Sequence, residues 1–178
     1  MVVCVPSQDK FLSDVAYHFS PHHAHNLQPK IDVISTDLGL LHITQSEDKF
    51  GSYYVGGYLG GELIAYLTIC PFNVDPNNPL PFEFVGYTIV EPPHRGNGLT
   101  RALIEWWVKR YRRPLLSDEG QTDEGRSVWT SMITRDPALD FELWERDENK
   151  FHPISVVDGV ITPDPWDGSP NRLLAKFK

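Results

Sequence analysis

Cysteine is scarce in this chain of 178 residues: there are two, Cys4 and Cys70, and they form no spaced framework. That excludes a disulfide scaffold and fits a reducing, intracellular setting. No apolar run approaches the length of a membrane span. The opening Met1-Val-Val-Cys-Val-Pro6 is too short for a secretory signal and carries no basic leader. The expected location is therefore the cytoplasm, without a membrane partner. Cations are short too, with 16 lysines and arginines against 24 aspartates and glutamates, for a formal net charge of −8. Such a chain is a poor general binder of DNA, RNA or anionic membrane. Its richest basic run, Lys109-Arg110-Tyr111-Arg112-Arg113, reads as cations complementing the negative end of a helix. There is no internal repeat and no low-complexity tract.

What remains is the composition of an ordinary globular protein, 40% hydrophobic and 22% charged. Residues 1–178 read as one domain, long enough to bury a core. Residues 7–30 read as a short helix and an irregular histidine-bearing loop, and Leu38 to Thr44 as a strand. Ser52 to Cys70 reads as a hairpin turning at Gly60-Gly61, a pair suited to the positive φ of a tight turn. A proline- and asparagine-rich loop, 71–81, precedes a strand from Phe82 to Val90. A helix from Leu99 to Arg113 follows, its stripe formed by Leu99, Ala102, Leu103, Trp106, Trp107 and Arg110. Pro114 to Asp118 fits a short buried strand parallel to Phe82–Val90, which makes a strand–helix–strand unit. Thr122 to Ile133 reads as a second helix, with Thr122 as N-cap and two acids in its first turn. Asp140 to Glu145 and Asn171 to Lys178 alternate like strands, the last closing the sheet.

The chemistry concentrates between the strand and the first of these helices, in Val90-Glu-Pro-Pro-His-Arg95-Gly-Asn-Gly-Leu-Thr100. Two glycines let the backbone approach a ligand closely. The first N–H groups of a helix lack intrahelical partners and lie at its electropositive end. The combination is a site for an anionic group such as a pyrophosphate. A dinucleotide fingerprint is disfavoured because Arg101 stands where its third glycine belongs and several antiparallel-looking strands precede the unit, although Asp118 lies at a fitting distance; a nucleotide P-loop is excluded because no Gly-Lys-Ser/Thr follows.

This segment resembles the phosphate-binding signature of the GCN5-related N-acetyltransferase (GNAT) superfamily, Arg/Gln-x-x-Gly-x-Gly/Ala, commonly preceded by Val-x-Pro-x-x. It matches at every position except Thr100, where the family prefers Gly or Ala. A second match is Thr122-x-x-Gly125-x-x-x-Trp129, which keeps the spacing of the family's Asn-x-x-Ala-x-x-x-Tyr. The wider pattern from Ser117 to Trp129 resembles small GNAT-like proteins encoded by bacteriophages, which would place the protein in a host cytoplasm. The resemblance implies an α/β (α+β) fold: a central mixed, mostly antiparallel sheet with a parallel strand–helix–strand unit and flanking helices. It implies acetyl-CoA as cosubstrate and an amine as acceptor. The backbone of Thr88, Ile89 and Val90 would pair with the pantetheine arm, and an N–H near Val90 would polarise the thioester carbonyl. Backbone groups of Arg95, Gly96, Asn97, Gly98, Leu99 and Thr100 would hold the diphosphate, with the Arg95 charge nearby. Thr122 and Trp129 would fall on the coenzyme side. An indole cannot protonate the leaving thiolate as a tyrosine hydroxyl does.

Three carboxylates are candidates for the general base, in the order Glu83, Asp118, Glu91, with water as the alternative. His18, His22, His23 and His25 surround Pro21 without regular ligand spacing, so no metal is expected; they read as a pH-sensitive surface loop or an acceptor-site wall. Tyr17, Phe19, Tyr53 and Tyr54 are unranked candidates for the acceptor cleft. The acidic chain favours a cationic acceptor, such as a protein lysine, a protein N-terminus or a polyamine. Two other functions follow the same residues: a non-catalytic module holding CoA or a host protein, and a nucleobase-modifying enzyme, which the net charge opposes. The oligomeric state is not written in the sequence.

Overall fold

The computed structural model describes residues 28–72, 82–118, 121–167 and 171–178. The expected N-terminal helix, the four histidines, Tyr17, Phe19, Cys4 and most of the 71–81 loop lie outside them. The chain divides into two compact units. Among the described residues, one is built from 28–71 and 85–106. The other is built from 72, 82–84 and 107–178.

In the first unit, four strands follow one another: β1 (Gln28–Thr36), β2 (Gly39–Glu47), β3 (Tyr53–Leu59) and β4 (Glu62–Pro71). Each pairs antiparallel with the next. Gly60 and Gly61, at φ +60° and +93°, make the β3–β4 turn as the sequence predicts. Burial alternates on β2, where Leu41 and Ile43 are fully buried. β4 instead carries six consecutive buried residues from Ile64 to Ile69, the pattern of a strand covered on both faces. β1 has no counterpart in the sequence reading, because Pro29 and Asp32 interrupt its β-like pattern. Its Asp32 accepts a hydrogen bond from the Trp106 indole at 2.8 Å.

Strand β5 (Glu83–Val90) and helix α1 (Leu99–Tyr111) each contribute residues to both units. The structure corrects the expected stripe of α1. Ile104 and Val108 are buried beside Leu103, Trp106 and Trp107, whereas Arg110 is exposed. The helix is thus apolar over most of its circumference, and each large side chain buried there stabilises by about 1.5–3 kcal/mol.

In the second unit, β6 (Leu115–Leu116) pairs in parallel with β5 through Glu83 and Phe84. Helix α2 (Asp123–Arg135) follows, then β7 (Leu139–Glu145), β8 (Lys150–Pro153), β9 (Ser155–Val157), β10 (Val160–Thr162) and β11 (Arg172–Phe177). β9 and β10 form a hairpin of their own. β11 is the last strand in the chain but not at a border of the sheet. It lies between β6 and β7, antiparallel to both, with Arg172 to Ala175 all buried rather than alternating. An aromatic core of Phe72, Phe82, Phe84, Trp144 and Phe151 packs on Leu116 and Leu174. No helix among the described residues is long and apolar enough to cross a membrane.

Candidate functional site

The glycine segment belongs to the first unit, where Val85–Val90 leads into it. After Val90 the chain makes one 3-10 turn, Pro92–His94. The Glu91 amide, just before it, donates to the Ile64 carbonyl at 2.9 Å and so anchors the strand end to β4. Arg95 folds back, its Nε donating to the Val90 carbonyl at 3.0 Å. Asn97 ties the turn together through its side-chain amide, which donates to the carbonyls of His94 and Arg95. The loop is therefore held by its own polar groups and does not depend on a ligand for its shape.

Gly96 and Gly98 both have positive φ, +80° and +70°. Side chains adopt that conformation rarely, so glycine is required here by the backbone. A Cβ at Gly96 would meet nothing within 4 Å, so the surface in front of that residue is open. Gly98 is the N-cap of α1, since its carbonyl accepts the first intrahelical bond, from Ala102 N–H at 2.9 Å. Being glycine, it offers no side-chain oxygen to the helix's first amides. The first turn of α1 also contains no acid. Arg101 lies in that turn, with Nε 3.6 Å from Glu105 one turn on. The start of α1 thus has a glycine as N-cap and no acid in its first turn, with Arg95 just before it and Arg101, paired with Glu105, inside it. Helix starts of this kind are where anionic groups are commonly held.

The three carboxylates have different surroundings. Glu83 is buried in the second unit, its Oε2 accepting from the Trp107 indole at 2.9 Å and its Oε1 from Arg113 Nη1 at 2.8 Å. Both oxygens are committed, and the residue ties the start of β5 to the C-terminal half of α1. Glu91 lies 3.7 Å from the His94 ring at the other end of β5. Asp118 is half-buried just past β6, and its backbone carbonyl accepts from the Gln121 side chain at 2.9 Å.

Thr122 and Trp129 sit on α2. The Thr122 hydroxyl accepts from the Gly125 amide at 3.1 Å, the N-cap that the sequence predicts. Trp129 is buried at 2% exposure. Each has a local structural task, and the spacing that relates them is the spacing of a cap and a core residue on one helix. A Cβ at Gly125 would stand 2.6 Å from the Gln121 side-chain oxygen, the movable end of a flexible side chain. Cys70, half-buried at the end of β4, has its thiol pKa raised by burial, which makes it a poor nucleophile. No group of three or more potential metal ligands occurs among the described residues.

A strand-to-helix turn that presents backbone amides to an anion, on a mixed α/β sheet, defines a class of phosphate- and coenzyme-binding proteins. The model of the Acetyltransferase (GNAT) family matches residues 19–117, more than half of the chain. The chain belongs to that family and has its fold, a mostly antiparallel sheet with one parallel pair and two helices among the described residues. Among solved structures it is similar to the ribosomal-protein-alanine N-acetyltransferase of Brucella melitensis biovar Abortus 2308. The two are 22% identical, with 43% of this chain and 57% of that chain covered and a TM-score of 0.37. The chain therefore spans little more than half the length of that enzyme. It is also similar to the Bacillus subtilis N-acetyltransferase YlbP, solved in complex with coenzyme A, at 17% identity, 70% and 67% coverage and a TM-score of 0.41. Escherichia coli ElaA is 15% identical, with 96% and 92% covered and a TM-score of 0.43. No curated protein matches the chain. Acetyl transfer, with acetyl-CoA as donor, is the chemistry of the family.

Proposed function

We propose that this protein is one N-acetyltransferase domain moving an acetyl group from acetyl-CoA to an amine, on a protein or on a cationic small molecule. The observation that carries the reading is the acid-free N-terminus of α1, begun by two positive-φ glycines with Gly98 as its N-cap. There the amides of Gly96 through Thr100 would hold the diphosphate, and Arg95 would add its charge while staying tied to the Val90 carbonyl. Thr88, Ile89 and Val90 would take the pantetheine arm by backbone pairing, as an added strand does. An N–H near Val90 would stabilise the oxyanion. Thr100 replaces the family's small residue with a helix-compatible one, so its amide still donates.

The proton is the harder assignment. With both oxygens engaged by Trp107 and Arg113, Glu83 serves better as an anchor than as a base. Asp118, Glu91 or a bound water would take the proton, and positioning would supply most of the rate. The Ser117-to-Trp129 pattern supports a phage-encoded member acting in a host cytoplasm.

A second reading has its own observation. Trp129 stands buried where relatives carry the tyrosine that protonates the thiolate, which favours a module that holds CoA or a host protein without turnover. Incubation with acetyl-CoA and a set of amines, followed by free-thiol release and thermal shift, separates the two. Stabilisation with thiol release supports the enzyme; stabilisation without release for any amine supports the module. The absence of stabilisation by CoA would sink the enzyme and the CoA-holding module alike, and leave only a module for a host protein.

A further inference from the structure

We infer that one face of the first unit's sheet binds the ammonium-bearing chain of the amine acceptor, an inference that rests on the acetyl-transfer reading. On β2, His42, Thr44 and Ser46 alternate, so their side chains share a face. His42 Nδ1, Thr44 Oγ1 and Ser46 Oγ are shut off from solvent and have no hydrogen-bond partner among the described residues. Ser46 as a whole is 4% exposed. One such atom costs about 1–3 kcal/mol when left unsatisfied. Three in succession on one strand face call for a polar partner there, ordered water or a ligand group.

The strand register carries this face across the sheet. Thr44 pairs with Gly56 and Ser46 with Tyr54 on β3, while Gly56 pairs with Tyr66 and Tyr54 with Thr68 on β4. A Cβ on Gly56 would meet Thr44 Oγ1 at 3.0 Å and Tyr58 Cε2 at 3.1 Å, which places these groups together on that side. The Tyr54 and Tyr66 rings stack with centroids 6.4 Å apart. Tyr66 packs in one cluster with Ile89 and Tyr87, and Thr68 Oγ1 donates to the Tyr87 carbonyl at 3.4 Å. The row thus runs from the β2 hydroxyls to the stretch of β5 proposed to hold the pantetheine arm. Three strand spacings make that about 14 Å.

The chemistry of the row selects the ligand. Hydroxyl oxygens and an imidazole nitrogen accept hydrogen bonds, and an ammonium group only donates them. Aromatic faces attract cations. The Tyr54 hydroxyl donates to Asp48 Oδ2 at 2.7 Å, which sets a negative charge behind the tyrosine pair. An anion would meet that charge and the ring faces at a cost. Tyr53, one residue along β3, points to the other side of the sheet, so the structure ranks Tyr54 above it.

The double variant Thr44→Val, Ser46→Ala removes two polar atoms with little change of volume. Spermidine and n-butylammonium would be titrated into the wild type and this variant, with the His42 ring resonances followed by NMR. Acetyl-CoA thermal shifts would be measured on both proteins. The expected result is that an amine moves the His42 resonances of the wild type and binds the variant about tenfold more weakly. The variant should be at least as stable as the wild type and keep its acetyl-CoA shift. Unmoved His42 resonances with both amines, or equal affinity for wild type and variant, would overturn the proposal. Failure of acetyl-CoA to stabilise the wild type would strike the donor site instead, and is read independently of the amines.

Discussion

Helices α1 and α2 are each 13 residues long and begin in opposite ways. At α2, Thr122 closes the first amides with its hydroxyl, and Asp123 and Glu124 neutralise the positive end of the dipole. At α1, a positive-φ glycine stands as N-cap, the first turn has no acid, and Arg95 lies just before it, while Arg101 pairs with Glu105. Each device at α2 stabilises a helix by about 0.5–1 kcal/mol, and α1 forgoes all of them. Its stability comes instead from its buried side chains, among them Leu103, Trp107 and Val108, each fully buried. The difference teaches which terminus is structural. A helix end finished by its own side chains has nothing left to offer a ligand, and one left unfinished has its donors still to give.

The comparison breaks most sharply if α1 is given what α2 already has. Thr100→Glu places a carboxylate in the first turn of α1 without straining the backbone, because position 100 is helical. The helix should gain a few tenths of a kcal/mol, seen as an unchanged or slightly raised melting temperature. Acetyl-CoA affinity should fall about 100-fold, because the new charge occupies the place proposed for the diphosphate. Calorimetric titration checks this, and unchanged affinity would show that the N-terminus of α1 is not the phosphate site. A smaller effect is expected from Arg95→Ala, which removes one cation but no amide. Affinity should drop about fivefold to tenfold, and its dependence on salt should flatten. If the drop is the same at low and high salt, the charge of Arg95 is not what the coenzyme senses.

Both helix starts were legible in the sequence because their signals are local. Thr122 with two following acids, and Gly96 and Gly98 after Val-x-Pro, declare themselves within nine residues at most. The Gly60-Gly61 turn is legible for the same reason. What escaped was set by partners distant in the chain. Glu83 reads as an available carboxylate until Trp107 and Arg113, 24 and 30 residues away, are seen to hold it. The final strand reads as closing the sheet, but its place between β6 and β7 is not legible, because sheet order is decided by which buried faces fit. The hydroxyl row of His42, Thr44 and Ser46 looks like an ordinary polar alternation. It gains meaning only once the register sets Gly56, Tyr54 and Tyr66 beside it.

The smallest effect should come from weakening the finished terminus. Thr122→Ala deletes the hydroxyl that accepts from the Gly125 amide, and loss of such a cap costs about 1 kcal/mol. Denaturant unfolding should show that loss as a lower midpoint with an unchanged slope. Acetyl-CoA affinity should stay the same, because the amide set free belongs to α2 and the proposed diphosphate donors belong to α1. The family resemblance makes the opposite expectation, since it places Thr122 on the coenzyme side. A loss of affinity beyond the loss of stability would mean that the hydroxyl serves the coenzyme as well as the helix, and that the start of α2 is only partly finished by its own residues. Equal affinity would confine Thr122 to its cap and leave the unfinished end of α1 as the donor site.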